Sequence, residues 1–344
     1  MHRSRKAFSI LEVAVVIAMC VVICALLLPS LAQIRSYNRK TVCMQNLKVF
    51  GNGSAAYENQ YAQRIPTFSW RADIPTNPAP GSPVLLDSQP VNDYYAALQQ
   101  ARDLIWRRMS PHWDIADQGS WFPHILYSHL VLLDYLNFPM LGQRHVCPED
   151  INIPRWQQQY QQFVTLNPPP TPPVQYGSYG REPFMSNYTM SAACWAADGG
   201  TNSVYQSSSH NYWVLPNAPG VMNRRRVNEV VYPSQKVYMY DNHARHMGAR
   251  WYFYAWVNAR QPLLFFDGAV RERRTGDGNR GFNPSAPASL GWTILNYSPT
   301  APPNNWESPD LNGGWTAQNY NGAYFRFTRA GLRGRDFDGP EVPY

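Results

Sequence analysis

The sequence predicts an α+β protein in which one long N-terminal helix precedes a mostly antiparallel sheet with long proline-rich loops. Three observations support this class. An apolar run from Val13 to Leu28 continues into apolar residues at helical spacing. Short segments rich in aromatic and β-branched residues, which are typical of strands, follow in the second half of the chain. Prolines cluster at 66–90 and 167–173, which indicates stiff extended connectors. A helix followed by strands, without regular alternation, favours α+β.

The composition excludes several classes of protein. The chain has 344 residues, of which 44% are hydrophobic and 15% charged, with 12 Trp and 22 Tyr. This balance excludes a coiled-coil rod and a polytopic membrane protein, and it argues against a helical bundle rich in Leu, Ala, Glu and Lys. The net charge is +7, but the basic residues are scattered and the longest cluster is 224–226. Nucleic-acid binding is therefore not expected.

The N-terminus carries the most informative pattern. Residues 1–7 are short and basic, and the stretch from Phe8 to Leu28 contains only Ser9 and Glu12 as polar residues. A helix of that length rises about 30 Å, which matches the hydrocarbon thickness of a bilayer. The pattern predicts a span at about 8–29, since the run is too long for a secretory signal peptide and 29–32 is a poor cleavage site. A carboxylate at Glu12 is costly in such a span and suggests a functional partner, although a negative charge near a helix start also suits the helix dipole.

The segment Lys-Ala-Phe-Ser-Ile-Leu-Glu at 6–12, followed by Val-Ala-Val-Val-Ile-Ala, closely resembles the cleavage and methylation segment of type IV prepilins and type II secretion pseudopilins. The resemblance implies that residues 1–7 are a leader, that a prepilin peptidase cuts between Ala7 and Phe8, and that Phe8 is then N-methylated. It also implies that Glu12 faces the Phe8 amine of a neighbouring subunit. Ala7 departs from the family, which usually has Gly at this position.

Residues 26–48 extend the resemblance to a subgroup whose helix reads Leu-Leu-Pro-Ala-Leu and then Cys-x-x-Asn-Leu-Lys. Pro29 is expected to kink the helix. The resemblance implies a pilin-like fold with a helix over 8–58, transmembrane at about 8–29 and an amphipathic stem at about 30–58. A globular domain with loop insertions follows at 59–344. Residues 1–7 would lie in the cytoplasm.

The globular part contains few strong element signals. Apolar spacing predicts helices at Asp93–Met109 and Ser128–Tyr135. Strands are predicted at Lys236–Tyr240, Trp251–Val257, Leu263–Arg271 and Ala323–Thr328. A turn at 258–262 would join the second and third of these strands in a hairpin.

Two further landmarks resemble the same subgroup. The loop Val146-Cys147-Pro148-Glu149-Asp150 is similar to its Cys-Pro-Ser-Asp loop, and His246 with Asp267-Gly268 is similar to its C-terminal signature, although the spacing here is longer. Asp267-Gly268 is typical of a turn or strand bulge. Pairing of Asp267 with His246 or Arg245 as a structural lock stays open, as does a metal or catalytic role.

The five cysteines fall into two groups. Cys20 and Cys24 lie one turn apart in the apolar helix, where a disulfide is geometrically poor. Export would place Cys43, Cys147 and Cys194 in an oxidising compartment. We expect a Cys43–Cys147 disulfide that ties the stem to the globular domain; a Cys147–Cys194 disulfide and reduced buried thiols are the alternatives.

Motifs of enzymes and strong metal sites are missing from the sequence. There is no H-E-x-x-H, C-x-x-C or G-x-S-x-G motif, and the G-x-G-x-x-G match at 276–281 precedes no helix. No cofactor is expected, except that Asp277 and Asn279 are weak candidates for calcium ligands. The irregularly spaced histidines are interpreted as loop and interface residues, namely His112, His124, His129 and His145.

These observations predict a pseudopilin-like subunit, not an enzyme, that assembles through its helix into a type II secretion or type IV pilus-like structure as a minor or tip component. The implied partners are a prepilin peptidase, other pilin-like subunits, inner-membrane lipid and a secreted client or glycan. The implied location is the bacterial inner membrane, single-pass, with the domain periplasmic or in an extracellular filament. The alternative is a single-pass anchored, exported, aromatic-rich binding domain for carbohydrate or protein that does not polymerise.

Overall fold

The computed structural model describes most of the chain as one long helix, a central sheet and many short helical turns. The described residues are 9–109, 111–112, 114–115, 125–165, 180–195, 204–206, 213–214, 222, 224–248, 250–283, 293–299 and 317–343. The α-helices are α1 (Ile10–Gln60), α2 (Asp93–Arg108), α3 (Leu133–Leu136), α4 (Asn152–Gln158) and α5 (Tyr160–Thr165).

The strands are mostly short. They are β1 (Tyr188–Met190), β2 (Tyr205–Gln206), β3 (Trp213–Val214), β4 (Val237–Asp241), β5 (His243–Ala244), β6 (Tyr252–Phe253), β7 (Arg260–Phe265), β8 (Val270–Arg274), β9 (Leu295–Tyr297) and β10 (Gln318–Tyr320). Short 3₁₀ turns lie before, between and after the strands, at Pro83–Leu86, Ile125–Tyr127, Leu130–Leu132, Gln143–His145, Glu182–Phe184, Ala192–Cys194, Val227–Glu229, Thr275–Asp277, Tyr324–Arg326 and Gly331–Arg333.

Helix α1 is 51 residues long and has a capping box at its start. The Ser9 side chain accepts a hydrogen bond from the Glu12 amide, and the Glu12 carboxylate accepts one from the Ser9 amide at 2.8 Å. These two bonds satisfy amides that otherwise lack helical partners. The helix is continuous across Pro29. It buries one face only in its second half, where Cys43, Leu47 and Phe50 are fully buried.

The prediction that the first half of α1 spans a membrane is wrong. In the part of the chain that the structure describes, no helix combines the length and the apolar character that crossing a bilayer requires. The predicted single-pass placement in the inner membrane is therefore not supported. The alternative of an anchored binding domain assumes the same placement and is not supported either.

The central sheet is antiparallel and has the order β1-β4-β7-β8. Strand β4 lies in the middle of the sheet and all of its residues are buried. Helix α1 packs across β7 and β8. The approach is close, because a Cβ atom added at Gly51 would lie 3.1 Å from Leu264 Cδ1. The α+β class with an antiparallel sheet therefore agrees with the expectation.

Several elements differ from their predictions. Helix α2 and strand β4 lie where they were expected. The segment Trp251–Val257 supplies only the two residues of β6, which pair with β5 and not with β7. The true hairpin joins β7 to β8, and its turn lies within the predicted strand Leu263–Arg271.

Two further segments are turns of helix. The predicted helix Ser128–Tyr135 is divided into the 3₁₀ turn Leu130–Leu132 and the short α3. The predicted strand Ala323–Thr328 contains the 3₁₀ turn Tyr324–Arg326, and Tyr324 has a φ of +49°. That value is incompatible with an extended strand. The stiff connector expected at 167–173 lies outside the described residues.

Candidate functional site

Three potential metal ligands from distant parts of the chain meet at one end of the sheet. They are the thiols of Cys43 and Cys147 and the imidazole of His246, and their ligand atoms all lie within 4.8 Å of one another. Cys147 Sγ lies 3.4 Å from His246 Nε2. Both cysteines are fully buried, whereas His246 is only partly buried. We call these three residues the Cys–Cys–His cluster.

Each member is held by a different element. Cys43 lies on the buried face of α1, in register with Leu47 and Phe50. Cys147 follows the 3₁₀ turn Gln143–His145, and its amide donates to Asn187 Oδ1 at 2.7 Å. His246 follows strand β5 by two residues. Three segments separated by about a hundred residues are thereby brought to one point.

A buried ion network surrounds the cluster. The Arg245 guanidinium contacts the Asp241 carboxylate and lies 3.2 Å from Asp150 Oδ2. It also lies over the Trp251 ring, 4.5 Å from the ring centroid. Asp150 accepts a further hydrogen bond of 2.7 Å from Asn187, which itself holds Cys147. The network contains two carboxyl groups and one guanidinium, so its formal charge beside the thiols is −1.

The surroundings set the protonation states of the cluster. Burial raises the pKa of the Cys147 thiol well above its ordinary value, and the neighbouring Cys43 adds to the effect. Burial is the largest cause and the positive charge of Arg245 the next, and together with Lys40 and Arg39 they lower the pKa of His246 to about 4. At neutral pH the imidazole is therefore neutral and free to act as a ligand, while Cys147 is a thiol.

The structure brings the predicted disulfide partners together as thiols. Cys43 and Cys147 are adjacent but unbonded, so the structure contains no Cys43–Cys147 disulfide. Cys194 is also unbonded, which removes the Cys147–Cys194 alternative from this structure. Its sulfur lies 3.4 Å from Ser191 Oγ, and burial raises its pKa to about 12.

Asp267 and Gly268 form the turn between β7 and β8. Gly268 has a φ of +76°, which favours glycine, and Asp267 Oδ1 accepts a hydrogen bond from the Ala269 amide at 2.9 Å. Asp267 Oδ2 lies 2.6 Å from the Arg271 guanidinium. The alternative of a lock with His246 or Arg245 is wrong, because Asp267 pairs along its own hairpin and Arg245 pairs with Asp241 and Asp150.

The weak calcium candidates do not point toward a common centre. Asp277 Oδ1 accepts a hydrogen bond of 2.9 Å from Arg274 Nε, so this oxygen is already paired with a guanidinium. The Asn279 amide nitrogen donates to the backbone carbonyl oxygens of Arg335 and Gly339, at 2.8 and 3.2 Å. These bonds turn the donor end of Asn279, and not its oxygen, toward the C-terminal loop.

The projecting part of α1 is the second candidate surface. In the described part of 10–42 no side chain is buried, and apolar residues face every direction. Ile10 is 91% exposed, Leu11 75% and Leu28 67%. Glu12 lies at the start of this surface and bonds Ser9 of its own chain. The predicted cleavage site, Ala7 and Phe8, lies outside the described residues.

Sequence reasoning expected Cys43 and Cys147 to meet, but it missed the addition of His246 to that pair and also a pair of stacked histidines. His129 and His145 are fully buried, with ring centroids 4.8 Å apart. Local spacing gave no signal for either arrangement, because the residues involved meet only through tertiary packing.

Comparison with known proteins gives no family assignment for this chain. No family model, no curated protein and no solved structure matches it.

Proposed function

We propose that this chain is a pilin-like subunit that assembles with further copies of itself, or with related subunits, through the projecting part of α1. The observation that carries the proposal is the exposure of apolar side chains on all sides of that helix. Val15, Val16 and Ile17 are consecutive, so they face different directions, and they are 50%, 51% and 57% exposed. A helix that is apolar all round is stable in water only when it is covered all round.

The geometry favours a bundle of helices as the covering partner. Residues 10–38, which precede the contacts of Arg39 and Lys40 with the globular domain, form a helix about 44 Å long. One partner helix would cover a single face and leave the others exposed. Several identical helices packed side by side cover every face, and each copy supplies the same surface. The resemblance of residues 6–12 to prepilins is consistent with this mode of assembly.

Glu12 has a specific place in this proposal. A carboxylate surrounded by packed apolar helices needs a positive partner. Prepilin-type processing between Ala7 and Phe8 would create an amino group at Phe8. In the assembly, the Glu12 carboxylate of one subunit pairs with the charged Phe8 amino group of its neighbour. The carboxylate is already oriented by the capping box with Ser9, which lowers the pKa of Glu12 through hydrogen bonds to its charged form.

Cross-linking through the two exposed cysteines of the helix tests the proposal. Cys20 and Cys24 lie on the projecting part and are exposed. Cells that produce the full chain are treated with a mild oxidant, and cross-linked multimers are separated on non-reducing gels. We expect a ladder of dimers and higher multimers that disappears in the Cys20→Ser/Cys24→Ser variant.

A matched pair of variants controls for nonspecific association. Val16→Lys places a charge at a half-exposed position of the helix and is expected to abolish the ladder. Val91→Lys makes the same change at a loop position that is 79% exposed, and it is expected to leave the ladder intact. Monomers only in the unsubstituted chain, or equal ladders in both lysine variants, would refute assembly through α1. Mass analysis of the N-terminus separately tests for a methylated Phe8.

A further inference from the structure

The Cys–Cys–His cluster has the composition of a metal site. Two sulfurs and one imidazole nitrogen are the ligand set that Zn²⁺ takes in proteins, usually in a tetrahedron. With Zn–S bonds of about 2.3 Å and Zn–N bonds of about 2.0 Å, the edges of such a tetrahedron are about 3.8 Å between sulfurs and about 3.5 Å between sulfur and nitrogen. The observed distance of 3.4 Å between Cys147 Sγ and His246 Nε2 matches the second of these edges.

We propose that Cys43, Cys147 and His246 bind one Zn²⁺ ion. Small side-chain adjustments suffice, since all three ligand atoms already lie within 4.8 Å of one another. His246 is the partly exposed member and gives the ion its path from solvent. The three protein ligands leave a fourth position for a water molecule or another exchangeable ligand.

Charge around the cluster favours a cation. The buried network of Asp241, Asp150 and Arg245 contains two carboxyl groups and one guanidinium, a formal charge of −1. On the outer side, Arg39 lies 2.9 Å from Glu149 and Lys40 lies 2.8 Å from Glu272, so these two cations are already paired. Binding replaces one proton on each thiol by the metal and releases both protons to solvent, which leaves a neutral zinc–dithiolate unit in the buried space.

The ion would fasten three separate segments. Cys43 belongs to α1, Cys147 to the loop after Gln143–His145, and His246 to the segment after β5. Metal binding to a site that exists only in the folded chain stabilises the fold. Zinc would therefore hold the projecting helix at a fixed position on the globular domain.

Cobalt substitution tests the site in the full chain. The Cys20→Ser/Cys24→Ser background removes the exposed thiols, and the reduced protein is titrated with Co²⁺ and then with Zn²⁺. We expect thiolate-to-cobalt charge-transfer absorption and tetrahedral visible bands that saturate at one equivalent and are displaced by Zn²⁺. We also expect X-ray absorption of the zinc form to show two sulfur ligands and at least one nitrogen. That measurement needs no further variant and so does not depend on how substitutions in the cluster fold.

Three cluster variants and one control locate the ion. Cys43→Ser, Cys147→Ser and His246→Gln are expected to weaken or abolish the charge-transfer bands. Cys194→Ser removes an equally buried thiol outside the cluster and is expected to leave them unchanged. The proposal is overturned if Cys194→Ser and Cys147→Ser bind Co²⁺ equally. It is also overturned if freshly purified protein contains a Cys43–Cys147 disulfide, seen as a mass two hydrogens lower.

Discussion

The buried ion pair between Lys236 and Asp336 gives the sharpest test of the packing. Lys236 precedes β4 and is fully buried, and its Nζ lies 3.0 Å from Asp336 Oδ2. Asp336 also accepts hydrogen bonds from the Val237 amide at 2.7 Å and from Thr328 Oγ1 at 2.6 Å. The Asp336→Asn substitution keeps the shape of the side chain but leaves the ammonium without its counter-charge. Breaking a buried pair in this way costs about 3–5 kcal/mol.

The magnitude converts to a measurable shift in melting temperature. An unfolding entropy of about 2 cal/mol/K per residue corresponds to about 0.7 kcal/mol/K for a chain of this size. We therefore expect Asp336→Asn to lower Tm by about 4–7 °C in thermal unfolding followed by circular dichroism.

Asp338→Asn is the matched control, two residues away. Asp338 pairs with Arg273 at 2.6 Å, but its side chain is 47% exposed. An exposed pair contributes only about 0–1 kcal/mol, so Tm is expected to change by about 1 °C or less. Equal shifts in the two variants would show that the buried charge is not what stabilises the contact between β4 and the C-terminal segment.

Three further predictions address other parts of the molecule. Burial raises the pKa of Glu58 from 4.5 to about 7, so the folded state binds more protons and loses stability as pH rises from 4.5 through 7. Glu58→Gln is expected to stabilise the protein by about 1–2 kcal/mol at pH 8, after discounting for partial exposure, and to change little at pH 4; denaturant titrations showing no difference at pH 8 would contradict this. Gly281→Ala is expected to destabilise the protein more than Gly268→Ala, although both glycines have positive φ. A Cβ atom at Gly281 would lie 2.3 Å from the Phe327 carbonyl oxygen, whereas at Gly268 only the tip of a lysine side chain lies within 4 Å. Equal melting temperatures of the two variants would refute this steric argument. Glu12→Gln and Glu12→Ala are both expected to abolish cross-linking through α1. Glutamine also completes a capping box, so normal cross-linking of Glu12→Gln would show that the charge of Glu12 is not needed.

The elements that the sequence predicts well are those defined by local interactions. Helix α2 begins where Asn92 Oδ1 accepts a hydrogen bond from the Tyr95 amide at 3.0 Å, and its apolar residues repeat at helical spacing. Strand β4 is a short run of large residues that are all buried. In both cases the local signal and the tertiary environment agree, which is the condition under which pattern reasoning succeeds.

The segments that the sequence predicts wrongly are rich in aromatics whose partners are distant. Phe253 stacks on Tyr297, with ring centroids 3.8 Å apart, and the guanidinium of Arg326 lies 4.0 Å from the centroid of the Tyr254 ring. A large aromatic side chain can be buried from an extended backbone as well as from a turn. Aromatic content therefore indicated burial correctly at 251–257 and 323–328 but could not decide the secondary structure.

The Cys–Cys–His cluster depends on how α1 is positioned along the sheet. Lys40 Nζ lies 2.8 Å from Glu272 Oε2 and Lys48 Nζ lies 2.7 Å from the Gly268 carbonyl oxygen, so two contacts about two turns apart fix α1 against the β7–β8 hairpin. Cys43 lies between them and is thereby held next to Cys147. Zinc motifs that sequence reasoning can find have ligands a few residues apart. Here each ligand comes from a separate segment, so the approach of His246 to the expected Cys43–Cys147 pair could not be predicted until the packing of the chain was known.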